Sequence, residues 1–259
     1  MISYIKSEYF RIFRNKWTYL FILLCSGLLV SSNVVLTMVK ASEKNFPYAT
    51  TKFALSMFYS NFPIVFILCI AITAMVFGNE HTNHTMKNSV SYGISRGDIF
   101  FGKLIVEVVY SILAFVIIGA LDIGFAYLLL DNSGVDYMLL LLKACAAAFP
   151  LFLVAIAITN SFLFTIESTG ASNAASVGLL LAFPLVCNML GMKFTFFMEL
   201  AKLLPWNMIY YLGFDMEKFQ PILLWGGRNG YGYYWLIACV EIIIVSVIGF
   251  VLFKKKEIK

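Results

Sequence analysis

The sequence predicts an all-α, polytopic membrane protein with six transmembrane helices, an N-terminal interfacial helix and a re-entrant outer segment between spans five and six. Three observations carry this expectation. Of 259 residues, 61% are apolar and only 13% are charged, about half the ~25% charge of soluble domains. The mean hydropathy is +0.87, more apolar surface than one soluble core of this size can bury. Long uncharged runs recur along the chain. At ~20 residues per crossing, they leave room for six spans and little else. A soluble enzyme, a disordered chain and a nucleic-acid module are excluded. No internal repeat is visible, and residues 1–259 read as a single transmembrane domain.

The elements follow in order. In residues 1–16, Ile2, Ile5, Tyr9 and Ile12 form an apolar stripe widened by Phe10 and Phe13, and Lys6, Glu8, Arg11 and Arg14 lie off it. Such a helix suits the cytoplasmic membrane surface, or else an amphipathic contact with another helix. Residues 17–39 and 53–79 are charge-free in their cores and form spans one and two. Span three, residues 101–130, is interrupted by Glu107 and Asp122, so those acids must be sheltered. Glu107 has a simple expected partner in Lys103, one turn earlier. Spans four (138–166) and five (170–192) are joined by a very short link. Span six, 231–253, carries Glu241 near its middle and is stopped by Lys254, Lys255 and Lys256.

Six spans put both termini on one side. If that side is cytoplasmic, it holds 11 of the 19 basic residues, including those that flank spans, where charge weighs most. The outer segment 193–230 is not hydrophilic. It holds Phe194, Phe196, Phe197, Trp206, Tyr210, Tyr211, Phe214 and Trp225, and is broken by Pro205 and Pro221. Tryptophan and tyrosine favour the membrane interface. One or two short helices dipping into the outer leaflet are expected, then a glycine-rich turn (Gly226, Gly227, Gly230, Gly232). An interfacial belt and a re-entrant cap over a substrate path both fit.

Most motifs that suggest chemistry fail on inspection. Gly97, Gly102 and Lys103 imitate a phosphate-binding loop, but Leu104 stands where a metal-binding hydroxyl is needed. His81 and His84 follow Glu80 without the spacing or partners of a zinc site. Cys25, Cys69, Cys145, Cys187 and Cys239 are scattered singly through apolar runs and read as core or lipid-facing residues. No catalytic residue, metal site or cofactor site is expected on this chain. Three acids mark a gate or polar pathway: Glu80, Glu241 and Asp122. For Glu241, a polar cavity, an adjoining subunit and a satisfied buried hydrogen bond remain alternatives.

The stretch from Phe77 to Leu104 is the most informative. Thr82 or Asn83 can cap a short helix that Gly93 stops, leaving Met86 and Val90 as an apolar knob flanked by Lys87 and Ser91. Gly97 is expected to break the chain again, and Asp98 to cap the next long helix. Tight tethering at both ends suits such a helix to pass force between a soluble partner and the spans.

Here the chain resembles the ABC type-2 transporter permeases. The resemblance rests on Phe77-Gly78-Asn79-Glu80, then Thr85-Met86-Lys87, Ser95-Arg96 and Lys103, with the opening run from Lys6 to Arg14. It implies a half-transporter that pairs with a second copy or a related permease. It also implies a separate ATPase, which holds ATP and magnesium and docks on residues 80–98, chiefly Thr85, Met86, Lys87, Asn88, Ser89, Val90, Ser91 and Tyr92. Glu80 would sit at the cytoplasmic gate. Small size and the lack of a large outer domain are similar to permeases that export antimicrobial or toxin peptides or give bacteriocin immunity. The expectation is then a multi-pass protein of the cell membrane, both termini cytoplasmic, moving amphipathic peptides outward. The alternative is a stand-alone sensor or immunity protein that binds a peptide without ATP-driven transport. An ion-driven carrier is disfavoured by the lack of paired repeats.

Overall fold

The computed structural model describes residues 1–43, 46–78, 80, 85–215, 220–223 and 230–256. The chain forms α1 (Ile2–Arg14), α2 (Lys16–Ser42), α3 (Thr51–Ser60), α4 (Phe62–Phe77), α5 (Thr85–Ser91), α6 (Arg96–Leu129) and α7 (Asp136–Thr165). It continues through α8 (Thr169–Val177), a wide π turn (Gly178–Ala182), α9 (Phe183–Gly191), α10 (Thr195–Leu203) and α11 (Pro205–Tyr210). A hairpin of β1 (Leu212–Asp215) and β2 (Gln220–Leu223) precedes α12 (Gly230–Lys255). Among the described residues, five helical segments are long and apolar enough to cross a membrane, and α3 with α4 makes a sixth as a bent pair.

That pair makes the span expected over 53–79 a bent one. Its halves meet at 59°. Pro63 lacks an N–H and its ring crowds the carbonyl one turn back, so the α3 ladder cannot run through it. Asn61 closes α3 instead, its side-chain amide donating to the Met57 carbonyl at 2.7 Å. Span five has a milder defect for a similar reason. Pro184 cannot donate to the carbonyl four residues earlier, and the backbone ahead of it widens to a π turn, the Phe183 N–H reaching the Gly178 carbonyl.

Helix α7 is the most enclosed span, and most of its residues from Leu140 to Phe164 are buried. Leu151, Phe152, Ala155 and Ile158 pack against Phe66, Cys69 and Ile70 of α4. Helix α12 runs parallel to α7. The Trp235 indole donates to the Ala146 carbonyl at 3.1 Å, and the Ser161 hydroxyl to the Val245 carbonyl at 3.3 Å. Gly249 makes this closeness possible, since a Cβ there would overlap Ser161.

At one end of the bundle the two chain ends come together. The Met1 amino group lies 3.2 Å from the Asp98 carboxylate, and the neighbouring Arg96 bonds carbonyls of Lys254 and Lys256. We call this the proximal end. Toward the distal end, Asn33 of α2 donates to the Asp122 carboxylate of α6 at 2.9 Å. Asp122 is thus sheltered, as a charge within a span requires. The segment after span five holds the two short helices α10 and α11 and, beyond expectation, the hairpin. The side chains of Asn188 and Asn207 exchange amide hydrogen bonds at 3.0 and 3.1 Å, which ties α11 back to α9. Gly226 and Gly227 of the expected glycine-rich turn lie outside the described residues. Gly230 and Gly232 begin α12 rather than forming a turn.

Gly249→Ala should lower thermal stability by about 1–3 kcal/mol, the usual cost of overpacking a helix contact. Gly119→Ala, where an added Cβ meets nothing within 4 Å, should not. Thermal unfolding of both variants in one detergent measures the difference.

Candidate functional site

Three span helices, α4, α7 and α12, finish at the proximal end. The last turn of each leaves carbonyls with no helical partner, and a basic side chain from elsewhere meets each set. Arg11 of α1 donates to the Val76 and Phe77 carbonyls at 2.5 and 3.5 Å. Arg96 donates to Phe253, Lys254 and Lys256 at 3.0, 2.7 and 2.7 Å. Lys256 reaches the Phe164 carbonyl at 3.4 Å. Burial pushes the Lys256 ammonium down, and the Glu167 charge opposes this. Cations at helix C-termini also meet the negative end of the helix dipole.

A buried charge cluster lies against the first of these caps. Lys103 of α6 is 0% exposed. Its ammonium sits 2.5 Å from Glu80 and 3.2 Å from Glu8, over the Phe77 ring at 5.0 Å from its centre. Arg11 completes the set, 2.6 Å from Glu8 and 3.5 Å from Glu80. Gly78, at φ +65°, turns the chain after α4, and a Cβ there would stand 3.1 Å from the Arg11 guanidinium. Burial pushes the Glu80 carboxyl up, and the Lys103 ammonium beside it is the main opposing influence.

This geometry corrects two sequence expectations. Glu8 and Arg11 do not belong to a solvated face of α1, because Glu8 is buried and Arg11 faces α4. Lys103 and Glu107 form no ion pair, since the ammonium goes to Glu80 and Glu8. Glu107 is 0% exposed, and neither carboxyl oxygen has a hydrogen-bond partner among the described residues. The imitation of a phosphate loop also resolves. Gly97, Gly102 and Lys103 lie inside α6, and a Cβ at Gly102 would collide with the Tyr4 ring.

Helix α5 stands just outside this cluster. Its end is closed by N–H bonds from Tyr92, Gly93 and Ile94 to the carbonyls of Asn88, Val90 and Ser89, with Gly93 at φ +83°. The expected caps Thr82 and Asn83 lie outside the described residues, as do His81 and His84. Met86 and Val90 do not form an outward knob. They pack inward against a floor of Phe77, Ile99, Phe100, Leu163, Phe164 and Phe253. The outward face is Lys87, Asn88, Ser91 and Tyr92, the last 87% exposed. Gly97 does not break the chain, and the cap of α6 is Ser95, accepting from the Asp98 N–H at 3.0 Å.

The three marked acids do not converge. Glu80 joins Lys103 and Arg11, and Asp122 meets Asn33. Glu241 stands alone on α12, with one buried carboxyl oxygen lacking a partner among the described residues. Sequence reasoning missed Glu8, Arg11 and Lys103 as one unit. The available signal was a lysine opening a span and an acid–base pair one turn apart on the helix before the first.

The fold and this site define a polytopic membrane protein whose helix ends are capped by basic side chains at one end of the bundle, beside a buried charge cluster. A family model described as "ABC-2 family transporter protein" matches residues 4–183, most of the chain. The chain belongs to that family and is a permease subunit of an ABC transporter, a class of membrane subunit that works with a partner ATPase. No curated protein matches the chain.

Lys103→Ala should cost about 3–5 kcal/mol, the usual penalty for leaving buried charges without their partner. Arg14→Ala, at an exposed position of α1, should cost about 0.5 kcal/mol or less. Denaturation in matched lipid nanodiscs distinguishes them.

Proposed function

We propose that this permease exports amphipathic peptides, of the antimicrobial or toxin type, and is driven by a separate ATPase docked on α5. The carrying observation is the seat of α5. Met86 and Val90 rest on the same aromatic floor that joins the ends of α4, α6, α7 and α12. Phe164 is central to it, with ring centres at 4.6 Å to Phe253, 5.1 Å to Phe100 and 5.2 Å to Phe77. A push on α5 is transmitted at once to four spans, because packed interiors shift between discrete arrangements rather than deform smoothly.

In this reading the proximal end is cytoplasmic, and Lys87, Asn88, Ser91 and Tyr92 meet the ATPase. ATP and magnesium act on that partner, so this chain needs no cofactor of its own. The peptide substrate is supported by the likeness of this small permease to peptide and immunity exporters. It is also supported by 25 Phe, 14 Tyr and 11 Met, residues that suit an adaptable apolar path. Glu80 acts at the gate, and Asp122 and Glu241 are polar points along the bundle. A second permease, identical or related, completes the transporter.

The test is purification from the native host in mild detergent, then peptide transport in reconstituted vesicles. An ATPase should co-purify in about equal amount, and transport should require ATP. Lys87→Glu with Tyr92→Ala should cut transport about tenfold, the loss expected for one or two interface contacts, without changing thermal stability. Met86→Asp should instead lower stability, because it sets a charge against phenyl rings. An intact protein without an ATPase, still binding peptide, would support the stand-alone sensor or immunity reading instead.

A further inference from the structure

The buried cluster has an unbalanced charge. Its described members are the carboxyls of Glu8, Glu80 and Glu107 and the cations Arg11 and Lys103. Glu8 and Glu80 share both cations directly, at 2.6 and 3.2 Å for Glu8 and 3.5 and 2.5 Å for Glu80. Those four groups are neutral together. Glu107 lies one turn beyond Lys103 on α6, fully buried, with nothing on the described chain donating to either oxygen. One turn further, Ser111 is 1% exposed and its hydroxyl also has no partner. The groups facing Glu107 are Lys103 on its own helix, Glu80 after α4, and Glu8, Arg11 and the Tyr4 phenol of α1. An ionised Glu107 would be a net negative charge inside the span, without a hydrogen bond. Isolated buried carboxylates neutralise rather than bear that cost.

We propose that Glu107 is a proton-binding site and carries its proton in this conformation, with Ser111 and enclosed water completing its hydrogen bonds. The ligand class is a single proton, held where the chain has acids in excess of bases. A protonated carboxyl supplies one donor and keeps acceptor capacity. The Ser111 hydroxyl can do both, so one or two waters between them satisfy all three polar atoms.

The site is also built to release that proton. Lys103 and Glu107 are four residues apart on one helix, within side-chain reach. If Lys103 leaves Glu80 for Glu107, Glu107 becomes an ion pair and its proton departs. Glu80, left with Arg11 alone against two carboxylates, is then the acid that needs one. The proton moves from Glu107 to Glu80 through water, no other charge changes, and both states stay neutral. A shift of α6 against the α1–α4 end thus moves a proton toward the proximal end. This inference needs only the family fold and holds whatever the substrate.

Infrared difference spectroscopy of the full-length protein in nanodiscs at neutral pH tests it. The probes are wild type, Glu107→Gln, Glu80→Gln and Asp98→Asn. The wild type should show a protonated-carboxyl C=O band that Glu107→Gln removes. Glu80→Gln should remove it too, because three acids then become two and Lys103 is free to pair Glu107. Asp98→Asn, outside the cluster, should retain it. Glu241, which also has a buried carboxyl oxygen without a partner among the described residues, is common to all these proteins, so the difference from wild type decides: a wild-type-minus-Glu107→Gln or wild-type-minus-Glu80→Gln spectrum without the band overturns the proposal. So does a thermal midpoint that rises with sodium or potassium in wild type but not in Glu107→Gln, which would make the ligand a metal cation. Gln is nearly isosteric with Glu, and an unchanged midpoint at low pH in Glu107→Gln confirms that the variant folds.

Discussion

A helix that ends at a membrane surface leaves its last carbonyls unbonded, and three spans of this protein end at the same surface. Each set of carbonyls is met by a guanidinium or ammonium from a different part of the chain: Arg11 from α1, Arg96 from the start of α6, and Lys256 after α12. The rest of the proximal end follows from these caps. Arg11 can reach α4 only if α1 lies against it, and that contact carries Glu8 into the bundle. A buried Glu8 requires a cation within reach, and Lys103 supplies it. Glu80 is drawn to the same ammonium by the turn at Gly78. The caps thus join the peripheral helix, the end of span two and the start of span three into one electrostatic unit.

The aromatic floor is the apolar counterpart of that unit. Phe77 belongs to both, with Lys103 over one face and Phe164 against its edge. Charge–ring contact of this kind favours a desolvated ammonium, so the floor helps to keep Lys103 dry. Helix α5 packs on this floor through Met86 and Val90. A displacement of α5 therefore reaches Lys103 through one aromatic ring.

Much of the fold is legible in the sequence because lipid imposes a simple rule. Uncharged runs of sufficient length are spans, and Lys254, Lys255 and Lys256 mark where one stops. The family likeness is legible for the same reason, since the span order frames the short motif from Phe77 to Lys103. What the sequence hid depends on contacts between distant residues. The bend at Asn61 is local and readable from Pro63. The partner of Lys103 could not be, because Glu107 is nearest in sequence while Glu8 and Glu80 are nearest in space. Likewise the outward or inward turn of Met86 and Val90 depends on Phe100, Phe164 and Phe253, which come from three other helices. The hairpin of Leu212–Asp215 with Gln220–Leu223 escaped notice because Pro205 and the aromatic run suggest only broken helix.

Asp122 and Glu107 show why burial alone does not assign a role to an intramembrane acid. Both lie on α6 and both are enclosed. Asp122 accepts from Asn33, and the bond fastens α2 to α6. Glu107 has no such donor, and its nearest cation is committed elsewhere. The first acid is explained by the fold. The second is a cost that the fold carries at the point where α1, α4 and α6 meet, and where α5 is seated one ring away. A buried polar group with no protein partner calls for an explanation, and for Glu107 the proposed proton, with Lys103 one turn away on the same helix, supplies one.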